Sequence, residues 1–344
     1  MQDGERVKKR WKKELAGVVL LIAALYLFVT AATVLLLPER SDYGSTWRAY
    51  LQEPKDSIDV LFFGSSMVYC DVVPAELWDE TGAEAYVMGG SEQTMPITYR
   101  YVREAFRTQS PQAVFVEVTG TFYDRYMNYT AINLDYMPRG ANWLGAVAAA
   151  SEPEQRALRL FPLAAYHARW VELPISQLAS PLRKTGPDLL AGYTFVSGVG
   201  EIGEVNTRSD LTLDKDLYAE NLAWLEKIYD FCRKQGAACV FYLAPSYSRL
   251  PEAWVSLLQD DLQGYGVQLL DLNGQMDEMG VDPQQDFYDY LHFNCFGAAK
   301  FSRYMGTLAQ QLGVTPSDPD RESPLWQQRL AYFRQLCQAA EQHT

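Results

Sequence analysis

Short apolar runs alternate with amphipathic stretches along most of the chain from residue 58 onward. The runs are rich in β-branched and aromatic residues, which is typical of strands, whereas apolar residues three and four positions apart predict helices. Strands that alternate with helices favour a parallel sheet covered on both faces. We therefore predict an α/β fold around a parallel sheet of about five strands. The predicted strands are 58–63, 85–88, 113–118, 238–243 and 267–270, and the predicted helices are 98–108, 217–234, 253–263 and 298–312.

Residues 126–209 interrupt this alternation with several prolines and two tryptophans. We interpret this segment as an inserted cap, whose helix-like stretches 143–150 and 154–160 would lie over the strand ends and shape a substrate groove. The alternative is that its loops serve packing alone. Near the end of the chain, the apolar stripe of residues 324–342 predicts a terminal helix docked on the core, with a partner-binding helix as the alternative.

Residues 15–37 form an uncharged apolar stretch, long enough to cross a hydrocarbon core about 30 Å thick. Six basic residues precede it, so the positive-inside bias predicts a cytoplasmic N-terminus and an extracytoplasmic remainder. A cleaved signal peptide is the alternative, because Thr30-Ala31-Ala32 offers small residues, but the apolar run is longer than is usual for one. The predicted order is a cytoplasmic tail (1–14), an anchor (15–37), a linker (38–57), a core domain (58–314) and a C-terminal helical extension (315–344).

The chain has a net charge of −13, and its basic N-terminus leaves the rest more acidic still. Nucleic acids and anionic lipid headgroups need clustered lysine and arginine, so the charge argues against both as ligands. The five cysteines are an odd number without metal-ligand spacing, and we predict buried free thiols, with pairing of Cys232 and Cys239 as an alternative. Neither a phosphate-binding loop nor a metal-ligand cluster is visible, so we predict no cofactor.

Two short motifs far apart in the sequence could supply a serine nucleophile and its base. Gly64-Ser65-Ser66 follows the first predicted strand, and Asp289-Tyr290-Leu291-His292 lies near the C-terminus. A serine hydroxyl needs a base within hydrogen-bond reach and a carboxylate that orients this base. Of the three histidines, only His292 has an aspartate three residues before it in a loop-like context. The alternatives are that both serines cap a helix and that Asp289 and His292 form a structural pair. The other histidines are His167 and His343, and we interpret His167 as a packing residue of the cap.

These motifs resemble those of the SGNH (GDSL-type) hydrolase superfamily, and most closely its membrane-anchored extracytoplasmic branch of DltD-like and alginate-type acetylation proteins. The family nucleophile is the serine of G-D-S, so the resemblance implies that Ser66 is the nucleophile and that Ser65 replaces the aspartate. The D-x-x-H block of the family falls on Asp289 and His292. The resemblance also implies a flavodoxin-like three-layer sandwich.

A second family block supplies a glycine N–H to the oxyanion hole, and Gly89 and Gly90 match it. The third block, G-x-N-D, should follow residues 113–118, but this chain lacks its asparagine. Either another residue donates the third hydrogen bond, or the hole has only two donors. The candidate contacts to the oxyanion or the substrate are Ser65, Gln93, Thr119 and Thr121.

The sequence therefore predicts that Ser66 attacks an acyl ester or thioester, that His292 acts as general base and acid, and that Asp289 orients His292. The N–H groups of Ser66 and of Gly89 or Gly90 would stabilise the oxyanion. Membrane anchorage favours acyl transfer onto a cell-envelope glycopolymer, and the resemblance implies a membrane-bound O-acyltransferase partner. The alternatives are a surface esterase for carbohydrate or lipid esters and a non-catalytic binding or assembly protein of the envelope.

Overall fold

The computed structural model describes residues 2–37, 47–161, 163–171 and 186–342. The chain forms two compact units. The first comprises Met1–Arg40 and Glu154–Thr185, and the second comprises Ser41–Pro153 and Gly186–Thr344.

The second unit contains a five-stranded parallel sheet, as predicted. Its strands are β1 (Val60–Phe63), β2 (Ala85–Val87), β3 (Ala113–Glu117), β5 (Ala238–Leu243) and β7 (Leu269–Asp271), in the order β2-β1-β3-β5-β7. The register pairs Val60 with Ala85 on one side and with Ala113 on the other. Two short strands, β4 (Asn206–Thr207) and β6 (Ser248–Arg249), pair in parallel as a separate ribbon that the sequence did not predict.

Helices cover both faces of this sheet. All four residues of β1 and all five of β3 are buried, and because successive side chains point to opposite faces, neither face is open to solvent. Two groups of helices provide the cover: helices within each group pack on one another. One group is Pro74–Thr81, Cys295–Gln311 and Pro324–Glu341, and the other is Met95–Ala105, Ala141–Ala150 and Lys215–Gln235; the remaining helices of this unit are Trp47–Tyr50, Ser66–Tyr69, Thr130–Asp135, Glu252–Gly264 and Met276–Met279.

The helix bounds differ from the predicted ones for local reasons. The helix predicted at 98–108 begins at Met95, because a proline is tolerated in the first turn, where its missing N–H costs no hydrogen bond. The helix predicted at 298–312 begins at Cys295, because the Asn294 side chain accepts hydrogen bonds from the N–H groups of Phe296 and Gly297. Residues 38–46 of the predicted linker lie outside the described residues, and Trp47 and Tyr50 are buried in the core.

The first unit contains the long N-terminal helix Gln2–Leu36. Its stretch Arg10–Thr33 is long and apolar enough to cross a membrane, and its most apolar window is not buried against protein. The short helices Arg156–Leu160 and Leu163–Tyr166 and the 3₁₀ turn His167–Val171 belong to this unit. The Arg169 side chain donates a hydrogen bond to the carbonyl of Leu36. Part of the segment that we interpret as a cap therefore packs with the N-terminal helix, and the capping role stays a prediction.

Candidate active site

The turn after β1 exposes Ser66. Gly64 has φ +149°, and a side chain there would place its Cβ 2.8 Å from Glu117 Cβ and 2.7 Å from Val68 Cγ2, so only glycine fits. Ser65 caps the helix Ser66–Tyr69, accepting a hydrogen bond from the Met67 N–H at 3.4 Å. Ser65 is buried, whereas Ser66 is partly exposed. Two adjacent serines therefore occupy different environments.

The structure brings Ser66, His292 and Asp289 together in one chain of hydrogen bonds. Ser66 Oγ lies 2.7 Å from His292 Nε2. On the other side of the ring, His292 Nδ1 lies 3.0 Å and 2.9 Å from the two carboxylate oxygens of Asp289. With the proton on Nδ1, Asp289 holds the ring so that Nε2 can accept the serine proton. This is the geometry that activates a serine hydroxyl.

Asp289 is held in its ionised form. Its Oδ1 accepts hydrogen bonds from the N–H groups of Leu291 at 2.7 Å and His292 at 2.9 Å. Burial opposes ionisation of Asp289, but these bonds and the His292 ring outweigh it and lower the pKa of the carboxyl below its ordinary value. The carboxylate therefore keeps the negative charge that stabilises a protonated imidazole.

The structure distinguishes the two glycines proposed for the oxyanion hole. The N–H of Gly90 donates to the Gly64 carbonyl at 3.0 Å, so it is already engaged. Within the described residues, neither the Gly89 N–H nor the Ser66 N–H has a hydrogen-bond acceptor. A Cβ on Gly89 would lie 3.0 Å from the Ser65 carbonyl, which places Gly89 against the nucleophile turn. Gly89 and Ser66 are therefore the backbone donors available to an oxyanion.

The candidates for a third donor differ in what they already bond. Thr119 donates from both its hydroxyl and its N–H (2.9 Å) to the Glu117 carboxylate, so it is not free for an oxyanion. Gln93 is fully buried; its Oε1 accepts from the Thr98 hydroxyl at 2.9 Å, and its Nε2 makes a long 3.5 Å contact to the Met88 carbonyl. The Thr121 hydroxyl is buried and has no hydrogen-bond partner within the described part of the chain.

A buried carboxylate under the nucleophile turn was not singled out by the sequence. Glu117, at the end of β3, is fully buried and accepts hydrogen bonds from Thr119 and, at 3.3 Å, from the Ser65 hydroxyl. Burial raises the pKa of Glu117, although these donors and the charge of Arg208 act in the opposite direction. The only signal in the sequence was an acidic residue that ends an otherwise apolar strand. Glu117 thus joins the turn after β1 to the loop after β3.

A second buried carboxylate supports the histidine loop. Asp71 Oδ1 accepts a hydrogen bond at 3.0 Å from the N–H of Phe293, the residue after His292. Its Oδ2 is buried without a partner among the described residues. Burial raises the pKa of Asp71 well above its ordinary value, and the negative charges of Asp289 and Glu117 add to this effect. Asp71 therefore links the helix turn after Ser66 to the loop that carries His292.

The other titratable candidates lie elsewhere. His167 is exposed in the first unit, and His343 falls outside the described residues. Cys232 and Cys239 are free thiols in the structure. No cluster that could hold a metal ion occurs among the described residues. No family model matches the chain, and no curated protein matches it.

Proposed function

We propose that this protein is a membrane-anchored, extracytoplasmic serine acyltransferase or esterase of SGNH type that acts on acyl esters of a cell-envelope polymer. The observation that carries the proposal is the continuous hydrogen-bonded arrangement of Ser66, His292 and Asp289, beside two uncommitted backbone N–H groups. The order β2-β1-β3-β5-β7 supports it, because flavodoxin-like sheets have this order and place ligands at the carboxyl ends of their strands. Ser66 lies three residues after Phe63, the carboxyl end of β1.

The chemistry has two stages. Ser66 Oγ attacks the acyl carbonyl carbon while its proton moves to His292 Nε2, and the Ser66 and Gly89 N–H groups stabilise the oxyanion. The bond to the leaving oxygen or sulfur then breaks, and this atom takes the proton from His292. In the second stage, an acceptor hydroxyl gives its proton to His292 and attacks the acyl carbon of the acyl-serine. The bond between this carbon and Ser66 Oγ then breaks, and His292 returns the proton to Ser66 Oγ. With water as the acceptor, the same sequence is ester hydrolysis.

The N-terminal helix supports the choice of a surface polymer as the substrate. The basic residues before the apolar stretch favour a cytoplasmic N-terminus, which would leave the second unit outside. A membrane-bound O-acyltransferase that delivers the acyl group across the bilayer is the proposed partner. Protease added to intact cells without their wall should then remove most of the chain, while a cytoplasmic control protein survives. If both this chain and the control protein are protected from the protease, the predicted orientation is wrong.

Acceptor dependence tests the activity. The full-length protein in detergent should release nitrophenol from a nitrophenyl acetate ester, and a polyhydroxylated acceptor should divert acetyl groups from water to itself. Mass spectrometry of the acceptor measures transfer, and free acetate measures hydrolysis. Acetate alone would assign an esterase. A chain that neither turns over the ester nor reacts with a fluorophosphonate would be a binding protein.

A further inference from the structure

A cavity of about 510 Å³ in the second unit has no part in the chemistry described above, and its wall includes the residue that follows Ser66. Met67, the residue after Ser66, and Thr119 form part of its wall. Leu243 at the end of β5 and Asp271 at the end of β7 form another part. The cavity therefore lies at the carboxyl ends of the strands, where ligands bind in open parallel sheets.

The wall formed by β6 is joined to the loop that carries the histidine. The N–H groups of Tyr247 and Ser248 both donate to the carbonyl of Tyr290, at 2.8 Å and 3.0 Å. Tyr290 lies between Asp289 and His292 in the sequence. Because Ser248 also lines the cavity, the cavity wall is hydrogen-bonded directly to the loop that carries His292.

The cavity lining suits a ligand rich in hydroxyl groups. Most of its side chains are polar or charged, whereas an acyl chain would require an apolar wall. Side-chain amides and hydroxyls donate and accept in several directions, as sugar and polyol hydroxyls require. The neutral polar residues of the lining include Asn206, Thr207, Ser248, Ser256, Gln259 and Asn273.

Two arginines also line the cavity, and they differ in their partners. Arg208 is almost buried and forms an ion pair with Asp210. Arg249 donates from Nε to the Ser246 carbonyl at 3.1 Å, and it forms no ion pair among the described residues. Of the two acidic lining residues, Asp271 already accepts two hydrogen bonds from Asn273, and Glu252 is exposed. The guanidinium of Arg249 is thus the charged group available to a ligand anion.

We propose that this cavity is the acceptor subsite, and that it binds a polyhydroxylated unit whose carboxylate or phosphate pairs with Arg249. The inference rests on the proposed function, because it assigns the hydroxyl donor of the second stage. An acceptor hydroxyl directed toward Ser66 loses its proton to His292, and its oxygen forms the new ester bond to the acyl carbon. The bond between Ser66 Oγ and the acyl carbon then breaks, and Ser66 Oγ takes the proton from His292.

Binding to the full-length Ser66→Ala variant in detergent, measured by calorimetry, tests the subsite without turnover. The probes are a glycerol phosphate oligomer, trigalacturonate and maltotriose, which carry phosphate, carboxylate and no charge. One or both anionic probes should bind more tightly than maltotriose, and the tighter anion identifies the acceptor class. The substitution Arg249→Ala, made in the Ser66→Ala background, should weaken binding of that anion about tenfold or more, as expected for loss of a charge-assisted hydrogen bond. It should leave the binding of maltotriose unchanged.

The matched control is Arg233→Ala. Arg233 is an exposed arginine in the last turn of the helix that precedes β5, so it lies near the amino end of this strand, whereas the cavity lies at the carboxyl ends. It should bind every probe as the Ser66→Ala parent does. Ser256→Phe, at an exposed helix position on the cavity wall, should weaken binding by filling space. Thermal unfolding of each variant identifies misfolding.

Three results would overturn the subsite: no binding of any probe, equal binding of maltotriose and the anions, or binding unchanged by both Arg249→Ala and Ser256→Phe. Fluorophosphonate labelling of the wild-type chain is read separately. Labelling of Ser66 without probe binding keeps the proposed function and removes the subsite, whereas absence of labelling removes the proposed function itself.

Discussion

The site has two halves that begin at neighbouring serines and differ in their exposure to solvent. The solvent-facing half comprises Ser66, His292 and Asp289, and the buried half comprises Ser65, Glu117 and Asp71. Ser66 faces His292, which is paired with the partly exposed Asp289. Ser65 faces the fully buried Glu117. The same hydroxyl group is thus next to a base in one half and next to a carboxylate that fixes the backbone in the other. The structure therefore separates the two serines by their partners and their exposure, not by residue type.

The carboxyl groups of Asp289 and Glu117 also differ between the two halves, in the direction of their pKa shifts. Hydrogen bonds from His292 and the backbone overcome the effect of burial at Asp289 and lower its pKa, whereas burial dominates at Glu117 and raises its pKa. A carboxylate that must stabilise an imidazolium has to stay ionised, and a carboxyl that only accepts hydrogen bonds does not. Substitutions in the two halves should therefore affect different measurements.

The largest effect is expected in the solvent-facing half. Ser66→Ala and His292→Ala should each abolish fluorophosphonate labelling and lower ester turnover by more than about 10³-fold, because nucleophile and base act as a unit. Both variants should unfold within a few degrees of the wild type, since partly exposed site residues contribute little to the core. Labelling followed by gel fluorescence measures the first effect, and calorimetry measures the second.

His167→Ala is the control for the histidine variant, because this exposed residue lies in the other unit. It should label and turn over ester as the wild type does. If His292→Ala also labels normally, His292 is not the base, and the hydrogen bond to Ser66 is only structural.

The elements that position this solvent-facing half could be predicted from the sequence. The five strands were found because their apolar runs are buried on both faces and leave little ambiguity of period. The proximity of Ser66 to Asp289 and His292 was predicted from two motifs more than 200 residues apart, because a serine nucleophile needs a base and a carboxylate and because both motifs resemble blocks of one family. Both motifs also place their residues by local hydrogen bonds, which are encoded in short sequences.

The buried half could not be predicted in the same way. An acidic residue in a sequence normally predicts a solvated surface. The tertiary fold buries Glu117 and Asp71 and brings to them the distant donors Ser65 and Phe293, whereas Thr119 is a local donor to Glu117. The β4–β6 ribbon is too short for any hydrophobic period to appear, so the cavity wall that it forms was missed as well. The availability of the Gly89 N–H rather than the Gly90 N–H depends on one backbone hydrogen bond, from Gly90 to Gly64.

A smaller loss of activity is expected for Asp289→Asn. The amide can still accept from Leu291, but it carries no charge and can hold the imidazole in the wrong tautomer. Ester turnover should fall about 10²-fold or more, and by less than in Ser66→Ala. Steady-state turnover compares the two variants at equal protein levels. Wild-type rates in Asp289→Asn would show that the carboxylate does not orient the base.

In the buried half, Glu117→Gln should mainly change stability and its dependence on pH. The folded pKa of Glu117 lies above its ordinary value near 4.5, so in the interval between them the folded state keeps a proton that the unfolded state has lost. The free energy of unfolding of the wild type should therefore fall as pH rises through this interval and level off above it. The glutamine cannot titrate, so this contribution should disappear.

Chemical denaturation across this pH range measures the difference between the wild type and Glu117→Gln, which should be largest below pH 4.5 and shrink as pH rises. Turnover should fall about tenfold, because a weakened acceptor loosens the loop that contains Thr119 and the nucleophile turn. Asp71→Asn is the control, since it removes the other buried carboxyl and leaves the hydrogen bonds of Glu117 in place, so the pH dependence that comes from Glu117 should persist in it. A difference that grows with pH would show that Glu117 is stabilised in its ionised form.

The smallest effect is expected for Ser65→Ala, although this serine adjoins the nucleophile. Its hydroxyl gives one long hydrogen bond to Glu117, while the two donors of Thr119 remain. Loss of this bond and of the cap to Met67 should lower the free energy of unfolding by about 1 kcal/mol. It should also raise the pKa of Glu117 further, which extends the pH-dependent fall in stability to higher pH. Fluorophosphonate labelling should persist at a rate within about threefold of the wild type, because the Ser66–His292 hydrogen bond is untouched. Labelling that vanished in Ser65→Ala but survived in Ser66→Ala would exchange the roles of the two serines and place the nucleophile in the buried half.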